Sequence, residues 1–439
     1  MKRILTLMVL AALSLQASAQ VGYVPSEENL KAREEFAGER FGIFIHWGIY
    51  SMFGHGEWAL QTQGLNHYEY RRMAQGFYPS GFNAQEWVKA IKESGARYIT
   101  FTSRHHDGFS MFDTKTSDYD IVDGTPFKRD IVGELAQACH DQGLNLHLYY
   151  SHLDWGRTDY WPLGRTGLRT GRPAGKDGDW KNYQKFMDDQ LTELLTQYGQ
   201  ISCIWFDGVW DKDAYPREDQ PGIWGLYHQY ELIHRLQPGC LIGNNHHLVP
   251  FDGEDIQIFE RDVPGDNTAG YSGENGISTK LPLETCQTMN ESWGYRMDDK
   301  NYKSVNELIR LLVRTSGKGA NLLLNIGPRP DGTLPEEALE RLSAMGKWLD
   351  RNGSSIYGTQ AGDVPEQSWG VTTKSGDTTF VHVLSDDEVI FLPLPGRKIK
   401  TATSLDGTVR VPFTITKEGI LLTVKDLKAD GPDKIITLR

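Results

Sequence analysis

Cysteine is scarce in this sequence. Cys139, Cys203, Cys240 and Cys286 are the only four in 439 residues, and they show neither CxxC nor zinc-ligand spacing. That argues against a zinc site, and buried free thiols are expected, with a disulfide as the alternative if the chain is exported. Basic charge is also short: 46 Lys and Arg face 58 Asp and Glu, for a formal net charge of −12. A nucleic-acid partner is therefore not expected, since neutralising phosphates requires basic patches. Beyond the first twenty residues no apolar run reaches membrane-helix length, so no membrane span is expected. Ile4 to Leu15 is apolar, follows Met1-Lys2-Arg3 and precedes Ala17-Ser18-Ala19. This arrangement predicts a signal peptide over residues 1–19, cut after Ala19, and a periplasmic or secreted protein. The run is too short to span a bilayer, and no cysteine follows closely enough to suggest a lipid anchor. No GxGxxG follows the first strand-like segment, and neither HxH nor HExxH occurs, so neither a nucleotide cofactor nor a metal is expected.

What is present is alternation. The length favours two domains. From about residue 36 to 353, short apolar runs alternate with stretches of helical periodicity. Strand-like segments are FGIFIHWG (41–48), RYITFTS (97–103), NLHLYYS (145–151), ISCIWFDG (201–208), LIGNN (241–245), DIQIFE (255–260) and NLLLNIG (321–327). Helical segments lie at 84–96, 127–143, 180–199, 225–239, 304–319 and 335–353. Repeated strand-then-helix units, with strands apolar on both faces, predict a parallel sheet covered by helices. A (β/α)8-like, TIM-type barrel over residues 20–357 fits best, with a doubly wound open sheet as the alternative. Residues 358–439 read as short strands separated by Gly, Asp, Lys and Pro turns, which predicts a small C-terminal antiparallel β-sandwich. It has no cluster of catalytic residue types, and is read as a packing domain, with sugar binding as the alternative.

In barrel enzymes the chemistry lies where strands end. Here the strand-like segments run into His46-Trp47-Gly48, Arg104-His105-His106-Asp107, Tyr149-Tyr150-Ser151-His152, Asp207-Gly208, Asn244-Asn245-His246-His247 and Glu260. A carboxylate closing so apolar a segment as ISCIWFD is out of character, because a strand seldom carries aspartate and a buried charge needs a partner. The set suggests carbohydrate chemistry. Asp207 and Glu260 make a carboxylate pair for a glycosidic bond. Trp47, Trp58, Trp205 and Trp293 offer apolar faces for a sugar ring, and His46, His105 and His106, if neutral, can bond its hydroxyls. Neighbours on a strand point to opposite faces, so His105 and His106 can both aim inward only if the strand has already ended.

The motifs FxxFIHWG, GEW, HHDGF, FKRDIV, YYS, WxDG, TMNxSWGY and NLLLNIGP occur in this order. Together they resemble the family 29 glycoside hydrolases, the retaining alpha-L-fucosidases, from about residue 30 to 357, with the family's β-sandwich after it. The resemblance implies a metal-independent (β/α)8-like barrel that works by double displacement on fucosylated oligosaccharides or glycoconjugates. It implies that Asp207 is the nucleophile and that His46, Glu57, His105 and His106 bind sugar hydroxyls. Trp205 and Trp293 match aromatic contacts to the sugar, and Trp58 belongs to the same GEW motif. Tyr149 matches an active-site tyrosine, with Tyr150 as a rival. Glu260 matches the acid/base, with Glu254, Glu284 and Glu291 as alternatives. An arginine that some members place before this loop is replaced by the Asn244-Asn245-His246-His247 stretch. The scheme expects Asp207 to be ionised and Glu260 to titrate higher. The alternatives are a same-fold glycosidase for a related sugar such as L-galactose or D-arabinose, and an inactive glycan-binding protein.

Overall fold

Phe41–Ile45 (β1) has no exposed residue, as expected of a parallel strand with helices outside it and a filled barrel inside. In this computed structural model, which describes residues 22–162, 164–172, 179–272 and 276–439, seven more strands join it. They are Tyr98–Arg104 (β2), Asn145–Ser151 (β3), Cys203–Asp207 (β4), Leu241–Asn245 (β5), Gln257–Glu260 (β6), Leu283–Thr288 (β7) and Ala320–Ile326 (β8). All ladders are parallel, in the order β5-β4-β3-β2-β1-β8-β7-β6. β5 meets Ile256, the residue before β6, in a single parallel bridge at Gly243, so the barrel is nearly closed. The predicted signal peptide lies outside the described residues.

The helices on the outside carry their own start signals. Ala84–Glu93 is capped by Asn83, and Ile131–Gln142 by Asp130. Val305–Gly317 opens on a full capping box between Ser304 and Glu307, which satisfies otherwise orphaned backbone donors. Two features depart from the sequence reading. β7 was not anticipated, because LETCQT is polar at four of its six positions and lacks an apolar run. Helix Glu27–Glu39 was also missed, since its apolar face is thin; it lies under the barrel, where Phe36 joins the interior cluster and its carbonyl accepts from Asn321 Nδ2. As in the sequence reading, which has no helical segment there, no helix stands between β5 and β6 or between β6 and β7 among the described residues.

Gly42 shows why a strand interior holds glycine: a Cβ there would lie 2.3 Å from the Tyr98 ring inside the barrel. Gly42→Ala is therefore expected to destabilise the protein by about 1–3 kcal/mol through overpacking, read as a lower thermal midpoint with the same barrel spectrum.

Beyond the barrel, a five-stranded and a three-stranded antiparallel sheet face each other across Val381, Val383, Ile390, Leu392, Ile420, Leu422, Ile436 and Leu438. This is the expected sandwich, held to the last two barrel helices. Arg314 and Lys318 pair with Glu366, and Asp430 accepts from Arg351 and Asn352. Val371, Phe380 and Ile435 merge into the barrel's outer core. All four cysteines are buried and unpaired.

Candidate active site

Strand alternation decides what faces the barrel mouth. In β4, Cys203 and Trp205 belong to the interior cluster, while Ile204 and Phe206 belong to the outer core. Asp207 is therefore the next inward residue, and the chain turns immediately at Gly208. Gly208 has φ +94°, and a Cβ there would lie 2.7 Å from the Leu153 backbone. In β3 the same parity sends Tyr149 inward and Tyr150 outward, where its hydroxyl donates to Gln190. β2 ends at Arg104, so His105 and His106 lie past the strand and both reach the cavity. A cavity of about 380 Å³ results, a size typical of small-ligand sites. Its lining includes His46, Glu57, Trp58, His105, His106, Tyr149, Trp205, Asp207, Glu260 and Trp293. The structure thus brings every predicted site residue to one place. Trp47 is the exception among the proposed sugar platforms. It is fully buried against Phe77, Phe82 and Trp87, because it follows His46 with opposite parity.

The polar groups are held from several elements. Asp207 Oδ1 accepts from Gly208 N at 2.8 Å and Trp210 Nε1 at 2.7 Å, and Oδ2 accepts from the Tyr149 hydroxyl at 3.0 Å. His106 Nδ1 lies 2.7 Å from Ser151 Oγ, with Nε2 3.6 Å from Asp207 Oδ2, too far for a direct bond. His46 Nδ1 meets Asn325 Oδ1 at 2.6 Å, and Glu57 accepts from Gly294 N at 2.8 Å. Glu260 Oε2 accepts from Asn245 Nδ2 at 2.8 Å and lies 2.9 Å from His247 Nε2. Beneath the site, Trp205 Nε1 donates to Glu284 at 2.7 Å, and Tyr98 donates to the other oxygen of that carboxyl at 2.7 Å. Phe44, Trp205 and Cys286 close the floor and are at most 2 % exposed.

Burial sets the protonation states. It pushes His46 down to about 3 and His105 and His106 well below the ordinary histidine value, so all three are neutral near pH 6. His105 Nδ1 is buried without a protein partner among the described residues. Burial, and then the charge of Glu260, push Asp207 up to about 6. Glu260 shifts the other way: burial raises it, but the bond and charge of His247, the Asn245 amide and Arg261 outweigh that and hold it below its ordinary value. This reverses the expected order, in which Glu260 titrates above Asp207. The physical reason is His247, a donor to the acid/base candidate that the sequence reading did not place there.

A sequence profile described as alpha-L-fucosidase matches residues 10–354. The chain belongs to this family. It is 29% identical to an alpha-L-fucosidase of Dictyostelium discoideum, over 97% of this chain and 95% of that one. It is 30% identical to a tissue alpha-L-fucosidase of Rattus norvegicus, over 94% of this chain and 92% of that one. Among solved structures, alpha-L-fucosidase isoenzyme 1 of Paenibacillus thiaminolyticus superposes with a TM-score of 0.81 at 30% identity, covering 94% and 99% of the two chains. A family 29 alpha-L-fucosidase of Bacteroides thetaiotaomicron, trapped as a covalent intermediate with 2-fluoro-fucosyl fluoride in a Glu-to-Gln variant, superposes at 0.80. It is 26% identical and covers 95% and 97% of the two chains.

Within this alpha-L-fucosidase fold, the four glutamates weighed from sequence separate by position. Glu254 is buried against Tyr230, His246 and Phe251 N, Glu284 lies under the floor, and Glu291 bonds Asn301 outside the cavity. Of the four, Glu260 alone lines the cavity. The Asn-Asn-His-His stretch also splits by parity. Asn244 and His246 face the outer shell, at Tyr230 and Glu254, whereas Asn245 and His247 hold Glu260. Asn245 and His247, placed at a strand end but given no role, line the cavity with Trp210, Arg165 and Tyr271, which were missed. The alternation in residues 244–247 and the indole three residues after Asp207 were the signals available for the first three.

Trp210 makes a testable contact. A donor to a carboxylate favours its ionised form, so Trp210→Phe should raise the Asp207 pKa while leaving an aromatic ring in place. Asp207 holds the pair's last proton in the free protein, so the alkaline limb of the kcat/KM profile should move upward by about one pH unit, the equivalent of one charge-assisted hydrogen bond. An unshifted limb with lowered kcat would make Trp210 a packing residue only.

Proposed function

We propose that the protein is an exported, exo-acting retaining alpha-L-fucosidase that removes terminal alpha-L-fucosyl groups from glycans. The observation that carries this reading is the convergence of Asp207 and Glu260, from the ends of β4 and β6, on one floored cavity, close enough that the charge of Glu260 raises Asp207. The family membership and the neighbour trapped as a covalent intermediate support double displacement.

Asp207 attacks the anomeric carbon through Oδ2, because Oδ1 is already tied by two donors. Glu260 protonates the departing oxygen, then takes a proton from water as that water frees the sugar. The attacking state needs one proton on the carboxylate pair, located at Glu260. In the free protein the same single proton favours Asp207, and the two forms differ only in where it sits. A glycosidic oxygen against Glu260 accepts a hydrogen bond solely from the protonated acid, so bound substrate selects the productive form. Neutral His46, His105 and His106, with Glu57, bond the sugar hydroxyls. The floor of Phe44, Trp205 and Cys286, beside Trp293, suits a sugar with a methyl where L-galactose has a hydroxymethyl. An apolar pocket discriminates against one added hydroxyl by only on the order of 10²-fold, so weak turnover of the L-galactoside is expected.

The barrel, residues 20–357, carries the activity in this reading, with 358–439 as an accessory sandwich; none of its described residues lines the cavity. Export rests on the first 19 residues. The direct test is hydrolysis of 4-nitrophenyl alpha-L-fucoside followed by proton NMR. The alpha anomer of fucose should form first; the beta anomer first would mean inversion, and no release would leave a glycan-binding protein.

A further inference from the structure

Each candidate catalytic carboxyl anchors a row of side chains that runs outward to the cavity mouth. On one side Trp210 donates to Asp207, and the Arg165 guanidinium lies 5.0 Å from the Trp210 ring centroid. On the other, His247 contacts Glu260 at 2.9 Å, and its imidazole lies flat on the Tyr271 ring at 4.9 Å and 13°. Exposure rises along this second row, from 15% for the Glu260 side chain through 21% for His247 to 42% for Tyr271. His247 holds its place at φ +62°, a backbone region seldom used by residues other than glycine. The floor is closed, so a leaving group can depart only outward, on the side of the acid that protonates it. Tyr271 stands at that end of the row and is the most exposed aromatic ring among the described cavity-lining residues.

We propose that Tyr271, held flat by His247, is the platform of a leaving-group subsite that takes a neutral pyranose by its apolar face. This rests on the fucosidase reading above and adds the class of sugar to which the fucose is attached. A ring with its C–H groups on one face covers an aromatic platform and removes apolar surface from water. An acidic sugar is disfavoured, because it would meet the charge of Glu260 and Asp207, while Arg165, the one Arg or Lys among the described cavity-lining residues, is paired with Asp213 at 3.2 Å.

Transfer chemistry isolates this contact. With alpha-L-fucosyl fluoride, the C–F bond breaks as the Asp207 carboxylate bonds to C1, and fluoride leaves. Either water or the hydroxyl of an added sugar then attacks C1, its proton passing to Glu260 as the Asp207 carboxylate is released. Both acceptors use the same base, so the ratio of transfer to hydrolysis reports acceptor binding and not the state of Glu260. Methyl beta-D-galactopyranoside is the probe, since its C3, C4 and C5 hydrogens form one apolar face. Tyr271→Ala should lower the ratio of disaccharide to free fucose by about two- to ten-fold, the factor an aromatic contact supplies. Tyr271→Phe should keep the wild-type ratio. An unchanged ratio in Tyr271→Ala overturns the proposal, and so does an equal loss in Tyr271→Phe, which would assign the contact to the hydroxyl. A wild-type enzyme that hydrolyses the fluoride but transfers nothing at high acceptor concentration overturns it too. If the wild type releases no fluoride at all, the fucosidase reading itself falls.

Discussion

Asp207→Ala is expected to lower turnover of every fucoside by about 10⁴-fold or more, because no covalent intermediate can form and nucleophile losses are of this size. The substitution removes a carboxylate held by Gly208, Trp210 and Tyr149, and leaves a small anion-sized space against the anomeric carbon. Added azide should enter that space and attack from the side Asp207 used. The product is fucosyl azide of inverted configuration, identified by NMR, and the rate should partly recover with azide concentration. Near-wild-type activity in Asp207→Ala would reduce the strand-end carboxylate to a turn cap at Gly208.

Glu260→Ala should divide substrates by their leaving groups. Natural glycans leave as poor, high-pKa alkoxides, so losing the acid should cost them about 10²–10⁴-fold, the range typical of general catalysis. An aryl fucoside leaves as a stable phenolate, and its first step should be nearly spared. Its second step still needs a base for water, so the fucosyl-enzyme should accumulate. That predicts a burst of phenolate, a low apparent KM, and almost no glycan turnover. Azide should speed the second step, and two displacements give fucosyl azide of retained configuration, the opposite of the Asp207→Ala product. Glu254→Ala, which removes the buried partner of Tyr230 and His246, should affect both substrates about equally through stability. If Glu254, Glu284 or Glu291 showed the leaving-group dependence instead, the acid/base role would pass to that residue while Asp207 kept its own.

Much of the site was readable because it is built on strand ends. A strand has a period of two, so any inward residue near its end has its partners' parity, and apolar runs mark where such ends fall. Apolar runs closed by polar residues are how Asp207 and His46 were reached from the chain alone, whereas Tyr149 came from the family resemblance with Tyr150 as a rival. The period of two, applied one residue further, would have removed Trp47 and chosen Tyr149 over Tyr150. It would also have separated Asn245 and His247 from Asn244 and His246. Tyr271 and Arg165 were out of reach, since they stand on loops whose course carries no period. β7 and the helix under the barrel were missed for a related reason: their apolar faces are too thin to register without the surfaces they meet.

The sequence by itself determined the family, the barrel with its sandwich, and the residue types at the strand ends, because these follow from periodicity and from motifs local in the chain. Only the tertiary structure decided which carboxyl among Glu254, Glu260, Glu284 and Glu291 opens on the cavity. It also decided that the free protein's proton favours Asp207 over Glu260. Both depend on distances between groups far apart in sequence. Burial and the bond from His247 to Glu260 set an electrostatic balance that exists only once β4, β5 and β6 lie side by side.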